Sequence, residues 1–163
     1  MTPHTNLEFH VLTHADIERH VESEKAFLDA VALSAAEGAL MPSEVVPSYF
    51  ESLGGREDWI GLVAFKPESR VILGSGGFKT IPLDGTVEVG YGVAVEHWGK
   101  GIGTAVCAAL VRYAGDHGAR VVRAHTLKDG IASQKILLKN GFELLGEVIE
   151  PDDGPVLRFE RVL

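Results

Sequence analysis

The feature that most constrains the fold of this chain is an alternating strand that runs directly into a glycine-rich turn and then into an amphipathic helix. Over residues 86–95 the apolar side chains fall on every second position, which is the period of a strand with two distinct faces. Over residues 101–117 they recur every three or four positions, which is the period of a helix. The junction holds three glycines, Gly99, Gly101 and Gly103. This segment predicts a strand–turn–helix unit.

The rest of the chain predicts further strands and helices around this unit. Thr13 can cap a helix start, the stretch from there to Leu40 reads as helical, and Pro42 is expected to begin a short helix near residues 43–53. The remaining helix is predicted at residues 131–139, and strands are predicted at residues 8–12, 59–65, 70–81, 120–126, 142–148 and 156–162. This order favours a mixed sheet with helices packed on it, in a single domain over residues 1–163.

Charge and composition exclude several classes of protein. The chain has 15 Lys plus Arg against 23 Asp plus Glu, a net charge of −8, which argues against a binder of nucleic acid or of an anionic membrane. An acidic protein is compatible with a cationic substrate such as an amine. Its single cysteine, Cys107, rules out an intramolecular disulfide and a cysteine-based zinc site. It is predicted to be a small buried hydrophobe rather than a catalytic thiol.

The sequence also gives no sign of a leader, a membrane span or a metal site. No apolar run approaches the length that spans a bilayer, and the first twelve residues lack the apolar core of a signal peptide. No histidine or carboxylate spacing matches a known metal motif, so no metal is expected. We therefore expect a cytoplasmic protein.

The glycine-rich turn is a candidate phosphate site, with an ordinary tight turn as the alternative. A helix start offers unpaired N–H groups and a partial positive charge, and glycines let a ligand approach the backbone. A P-loop does not fit, because Gly99-Lys100 is followed by Gly101 and position 94 is Ala. A dinucleotide fingerprint does not fit either, because its third glycine is missing in both registers.

The segment instead resembles motif A of the Gcn5-related N-acetyltransferases (GNAT), in which Gln or Arg precedes x-x-Gly-x-Gly/Ala after a Val-x-Val strand end. Gly101 and Gly103 supply both glycines, while Trp98 stands where Gln or Arg is usual. Trp before Gly-Lys-Gly is similar to the branch of ribosomal-protein N-acetyltransferases. Further segments resembling that branch are Glu88-Val-Gly-Tyr91, Gly130-Ile-Ala-Ser133 and Leu138-Lys-Asn-Gly-Phe142.

The resemblance implies the GNAT fold, a mixed and mostly antiparallel sheet of about seven strands flanked by helices. It also implies an enzyme that transfers an acetyl group from acetyl-CoA to a primary amine by direct attack, with the cofactor in a cleft where strand 86–95 splays from strand 120–126. Backbone groups of Val93 and Val95 would pair with the pantetheine arm, and the Val93 amide would polarise the thioester carbonyl. The residues implied to hold the pyrophosphate through main-chain amides are Gly99, Lys100, Gly101, Ile102, Gly103 and Thr104.

Two residues are implied to take part in the chemistry. Glu88 would accept the proton of the amine through a water molecule, the alternative being a structural glutamate. Ser133 would contact the departing thiolate, the alternative being a hydroxyl that only caps the helix or binds the pantetheine. Many relatives place a Tyr at the position of Leu137, and the usual Asn is Gly130 here.

These departures keep other functions open. A non-catalytic acyl-CoA-binding or sensing module of the same fold is the main alternative, and a nucleotide-binding protein that uses the glycine turn is a weaker one. The first 83 residues carry no motif that identifies the acceptor, which could be a protein N-terminus, an antibiotic, a polyamine or an amino-acid derivative. Exposed strand edges near the C-terminus predict a homodimer.

Overall fold

A computed structural model describes residues 6–163, in which a mixed sheet carries helices on both faces. The strands are β1 (Glu8–Val11), β2 (Ser34–Ala35), β3 (Gly61–Lys66), β4 (Val71–Phe78), β5 (Thr86–Val93), β6 (Val121–Thr126), β7 (Glu143–Glu150) and β8 (Gly154–Val162). The α-helices are α1 (His14–Glu22), α2 (Glu24–Val31), α3 (Val46–Leu53), α4 (Ile102–Asp116) and α5 (Ile131–Lys139).

The sheet has the order β1-β3-β4-β5-β6-β8-β7, and β2 pairs with β4 outside this path. All neighbours on the path are antiparallel except β5 and β6, which run parallel, as do β2 and β4. The predicted fold class is confirmed. The described residues form eight strands rather than about seven, because the two-residue β2 is too short for a recognisable alternation.

Strand β3 shows why the sheet is covered on both faces. Its residues Leu62 and Ala64 belong to the core under α4, while Val63 and Phe65 belong to a second core under α2. Successive side chains of a strand point to opposite faces, so an unbroken apolar run requires two buried faces. A third apolar cluster, which contains Ile60, joins α1 to α3.

The predicted helix up to Leu40 is wrong beyond Val31. Helix α2 ends where Ala32 adopts a left-handed conformation with φ of 57°, and the chain then forms β2 beside Val71 and Ile72 of β4. The local Ala- and Leu-rich composition favours a helix, but pairing with a distant strand overrides that preference. The capping role predicted for Thr13 is confirmed, since its side chain accepts from the Asp16 amide.

Two predicted boundaries also shift. Helix α3 begins at Val46 rather than near Ser43, with a proline in its first turn. That proline is Pro47 rather than Pro42, and the first turn tolerates it because its missing N–H would have no helical partner there. Strand β5 ends at Val93, whereas Val95 starts a 3-10 turn that reaches His97.

The structure forks where β5 and β6 part. These strands pair only from Thr86 opposite Val121 to Glu88 opposite Arg123. Beyond that point β5 stays with β4 while β6 stays with β8. The predicted splaying of the two strands is therefore confirmed. Among the described residues no helix combines the length and the apolar character needed to cross a membrane.

Candidate functional site

A cavity of about 490 Å³ lies where β5 separates from β6, between the glycine turn and α5. The lining residues that carry the argument are Tyr91, Val93, Trp98, Gly101, Gly103 and Ser133. We refer to it as the donor cavity. The sequence-predicted residues Gly99, Ile102 and Thr104 line it as well, whereas Glu88, Val95 and Lys100 do not.

The glycine turn aims the start of α4 at this cavity. Gly99 and Gly101 adopt positive φ angles of 76° and 84°, a conformation that other residues adopt only with strain. Gly101 is the N-cap of α4 and makes no side-chain cap bond, and the first helical hydrogen bond runs from the Ala105 amide to the Gly101 carbonyl. The amides of Ile102 and its next two neighbours therefore have no partner within the helix. A 15-residue helix adds the positive end of its dipole at this point.

Gly103 serves packing rather than backbone freedom. A Cβ atom built on it would lie 2.6 Å from Cδ1 of Ile136, which is on α5. The absence of a side chain lets α5 approach the first turn of α4, so that both helices line one cavity. Ile102 is 2% exposed, so only its main chain can face a ligand.

The end of β5 offers its backbone to the donor cavity. The Lys79 amide, just after β4, donates to the Glu88 carbonyl, and the Ala94 amide donates to the Leu73 carbonyl in β4. The backbone groups of Glu88 and Ala94 therefore point towards β4. Because bonding directions alternate along a strand, the N–H and C=O groups of Tyr91 and Val93 point to the opposite side, towards the fork. The indole Nε1 of Trp98 donates to the Val93 carbonyl at 2.9 Å. The Val93 amide is then the main-chain group that this strand end offers to a ligand.

Tyr91 and Ser133 meet across the fork. The Tyr91 hydroxyl lies 3.1 Å from Ser133 Oγ and also donates to the Ser133 carbonyl at 3.4 Å. Burial raises the pKa of Tyr91 to about 12, against the lowering effect of the Ser133 bond, so the phenol keeps its proton at neutral pH. This pair is absent from the sequence-based prediction of the site. Its members lie 42 residues apart, and only the match of both segments to one family hinted at their association.

Cationic side chains stand at one wall of the donor cavity. Lys135 and Lys139 of α5 line it and are exposed. Although the chain is acidic as a whole, these two ammonium groups give the cavity a local positive character that suits phosphate groups.

A second cavity, of about 390 Å³, opens on the opposite face of β5, beneath α1, α2 and α3. We refer to it as the acceptor cavity. It shares Gly38, Tyr91 and Gly92 with the donor cavity, so the two spaces meet at β5. Gly90 and Gly92 both line it, and a Cβ on Gly92 would have nothing within 4 Å. The small residues of β5 thus leave open space on this face, at the point where the cavities join.

Glu88 lies on the same face of β5 as these glycines but is already engaged. Its carboxylate oxygens lie 2.6 Å from Lys79 Nζ and 3.2 Å from Nδ1 of His125. Two residues of strand separate it from Gly90, roughly 7 Å, a distance that one or two water molecules span. His125 in turn accepts at Nε2 from Arg158 at 3.0 Å and lies 3.3 Å from Glu150.

This network places three possible metal ligands together. Atoms of Glu88, His125 and Glu150 all lie within 4.8 Å of one another. They come from three different strands, so no sequence spacing reveals them. Lys79 and Arg158 pair with the two carboxylates and compensate their charge, which favours an ion-pair network over a cation site.

The remaining sequence-predicted residues fall into structural positions. Cys107 is fully buried, and burial raises the pKa of its thiol to about 12, so it is a protonated core residue as predicted. Gly130 is the N-cap of α5 and provides no side-chain cap. Leu137, at the position where many relatives carry a Tyr, is fully buried and packs in the core.

Comparison with known proteins identifies what the chain resembles. The family model for the acetyltransferase (GNAT) domain matches residues 8–143. No curated protein matches the chain significantly.

Solved structures of the same fold match over nearly the whole length. A ribosomal-protein-alanine N-acetyltransferase from Brucella melitensis is 22% identical, with a TM-score of 0.66 over 96% of this chain and 99% of that one. A ribosomal-protein-S5-alanine acetyltransferase from Vibrio fischeri is 14% identical, with a TM-score of 0.68 over 96% and 93%. A candidate acetyltransferase from Salmonella typhimurium, solved with its cofactor acetyl-CoA, is 20% identical, with a TM-score of 0.65 over 98% and 95%.

Proposed function

Since the chain belongs to the GNAT acetyltransferase family, and is therefore an acetyl-CoA-dependent acyltransferase, we propose that it acetylates a primary amine by direct attack in a ternary complex. The observation that carries the proposal is that two cavities on opposite faces of β5 share Gly38, Tyr91 and Gly92 in their linings. An acyl donor in one cavity and an amine in the other would meet there, which removes the need for an acyl-enzyme intermediate.

The donor cavity suits the diphosphate, the pantetheine arm and the thioester of acetyl-CoA. The main-chain amides from Gly99 to Thr104 would bind the diphosphate, helped by Lys135 and Lys139. The pantetheine arm would extend β5 at its open end and bond to Val93 as an added strand. The Val93 N–H would then polarise the thioester carbonyl. Val95 lies on the 3-10 turn, so its part in this pairing is the weakest of the proposed contacts.

The bond changes in the reaction require a proton acceptor for the amine and a proton donor for the sulfur. The amine nitrogen attacks the thioester carbon, the C–S bond breaks, the nitrogen loses one proton and the sulfur gains one. We assign proton acceptance to Glu88 through water. Glu88 lines neither cavity, but it lies on the same face of β5 as Gly90 and Gly92, which line the acceptor cavity. Lys79 and His125 hold its carboxylate in place.

Ser133 is assigned to the departing thiolate. Its hydroxyl lies at the fork, where the thioester would sit, and Tyr91 orients it. The single Tyr91 proton would turn from the Ser133 carbonyl to Ser133 Oγ, so that Ser133 can donate its own proton to the sulfur. The Tyr91–Ser133 pair would thus take the role that a Tyr at position 137 has in many relatives.

The proposal is tested by a thiol-release assay over a panel of primary amines. Glu88→Gln should lower kcat by about 10² or more, the range of a lost general base, without changing the affinity for acetyl-CoA. Glu150→Gln is the matched control, since it also contacts His125 but lies on β7, and it should keep most of the activity. Equal losses in both variants would show that the network is structural and that Glu88 is no base.

The same assay separates the enzyme from a non-catalytic acyl-CoA-binding module. That alternative is favoured by Gly130 and Leu137, which replace two residues common in relatives. A module would be stabilised by acetyl-CoA yet release no thiol with any amine. The single domain and the absence of metal and nucleic-acid partners stay predictions.

The homodimer also stays a prediction. The feature that supports a homodimer is the edge strand β7, where Leu144, Leu145 and Ile149 are exposed.

A further inference from the structure

The acceptor cavity contains a buried nitrogen that the proposed chemistry does not use. His20 of α1 lines this cavity and is only 7% exposed. Its Nε2 has no hydrogen-bond partner in the part of the chain that the structure describes. A buried polar atom without a partner costs free energy, so its retention on a cavity wall points to a ligand that completes it.

The other polar side chains of the cavity are already satisfied. Ser75 donates to the Ala39 carbonyl at 2.7 Å, and Tyr49 donates to the Ile60 carbonyl at 2.7 Å. The residues that complete the wall are mostly apolar, among them Leu12, Ile17, Phe27, Leu40 and Met41. His20 is therefore the side chain positioned to give the cavity polar selectivity.

Charge restricts the ligand further. Among the described residues that line the cavity, none is Asp, Glu, Lys or Arg. A second ammonium group or a carboxylate on the acceptor would be buried there without a counter-charge, at a large cost. His20 cannot supply one, because burial lowers its pKa, with Glu24 opposing the shift, and the ring stays neutral. The volume of 390 Å³ lies near the lower end of the range of about 300–1,000 Å³ for small-molecule sites.

We propose that the acceptor cavity selects a small primary amine with an apolar body and one uncharged hydrogen-bonding group, and that the His20 imidazole binds this group. The inference rests on the proposed function, which it deepens by naming the class of acceptor. Phe27 stacks on the imidazole at 5.5 Å between centroids and 17° between planes, which fixes the orientation of the ring. Polyamines and acidic amines, whose second charge would have no counter-charge on the cavity wall, are therefore expected to be poorer acceptors.

The test compares leucinamide with 3-methylbutylamine, which has the same branched body but lacks the carboxamide. The carboxamide can donate or accept, so it can pair with either tautomer of neutral His20. In His20→Leu, kcat/KM for leucinamide should fall about fivefold to tenfold, the effect of one lost hydrogen bond, while the value for 3-methylbutylamine stays within about twofold. The ratio of kcat/KM for leucinamide to kcat/KM for 3-methylbutylamine is compared between wild type and variant, so that the different intrinsic reactivity of the two amines cancels.

His14→Leu is the matched control, because His14 lies on the same helix, packs against the Phe50 ring and lines neither cavity. It should leave the ratio unchanged. A purely structural His20 would change the melting temperature of the His20→Leu variant but not the ratio. An unchanged ratio in His20→Leu, or a wild-type preference for spermidine, would overturn the inference.

A calorimetric titration tests the role of His20 even if the proposed acetylation fails. If the wild type binds acetyl-CoA but acetylates no amine, the proposed function fails, and leucinamide is titrated into the CoA complexes of wild type and His20→Leu. Binding that weakens about fivefold or more in the variant supports the inference on its own. Equal binding, or no binding to the wild type, overturns it.

Discussion

At the scale of single residues, the proposed chemistry is concentrated where Tyr91 and Ser133 touch. Tyr91 contributes to both cavities, and its hydroxyl reaches the first turn of α5. A phenol with a pKa of about 12 is a proton donor at any pH at which the protein is expected to work. It can therefore orient a serine hydroxyl towards sulfur without ionising.

Replacement of Tyr91 by Phe tests this assignment. We expect kcat to fall about tenfold, the effect of one hydrogen bond of about 1.4 kcal/mol, with little change in the KM for acetyl-CoA. Since the raised pKa keeps the phenol protonated, the loss should be the same from pH 6.5 to pH 9.5. Steady-state rates across that range check both points.

Tyr113→Phe provides the control for this substitution. Tyr113 stacks on His117, far along α4 from the glycine turn, and lines neither cavity. Its removal should leave kcat unchanged. A Tyr91→Phe enzyme with wild-type kcat would assign Tyr91 to packing alone.

Sequence reasoning at this scale could select residue types but not their contacts. Glu88 and Ser133 could be chosen because short motifs surround them. Tyr91 is in one of those motifs, yet its partner Ser133 lies 42 residues away in the sequence. Their contact forms only when α5 packs beside the fork. The missing partner of His20 is likewise invisible in the sequence, since it follows from burial of the ring beside Phe27 in the folded chain.

At the scale of elements, the donor cavity depends on how closely α4 and α5 approach. Gly103 permits this approach, because any side chain there would meet Ile136. The glycine that the family pattern assigns to cofactor binding thus acts here through helix packing. The contact between α4 and α5 at Gly103 and Ile136 is therefore also part of the wall of the donor cavity.

Gly103→Ala should therefore displace the end of the Ile136 side chain and distort the cleft. This displacement should offset part or all of the about 1 kcal/mol that alanine gains over glycine in a helix, and Ile136→Val in the same chain, which removes the displaced atom, should restore that gain. Gly115→Ala is the control on the same helix, because its Cβ would lie 3.6 Å from Leu163, an ordinary contact. That variant should gain about 0.5–1 kcal/mol from helix propensity.

Urea unfolding of the four proteins measures these changes as free energies of unfolding. The acetyl-CoA affinity of Gly103→Ala should fall as well, while that of Gly115→Ala should not. If both alanine variants were stabilised by the same amount, the absence of a side chain at position 103 would not be what sets the approach of α5 to α4.

Elements with a strong local pattern were predictable, and those held by distant pairing were not. Helix α5 runs from Ile131 to Lys139 as predicted, because Asn140-Gly141 ends it and apolar residues mark its face. Residues 33–40 carry helix-forming side chains, but β2 forms there because its backbone bonds to β4. A preference of a few tenths of a kcal/mol per residue is too small to decide against such pairing.

At the scale of the whole molecule, β5 forms part of the wall of both cavities. Its larger side chains pack under α4, and its glycines leave room under α1, α2 and α3. The alternation that predicts the strand thus also separates a donor side from an acceptor side. The acceptor cavity itself could not be predicted, since its wall is assembled from segments between Leu12 and Gly92 that carry no common motif.

The most direct test of this account is a crystal structure of the protein with acetyl-CoA. We expect diphosphate oxygens about 3 Å from the amide nitrogens between Gly99 and Thr104. The thioester should lie beside Tyr91 and Gly92, with its sulfur near Ser133. A diphosphate bound away from the glycine turn, or a thioester that does not reach the junction of the two cavities, would contradict the account.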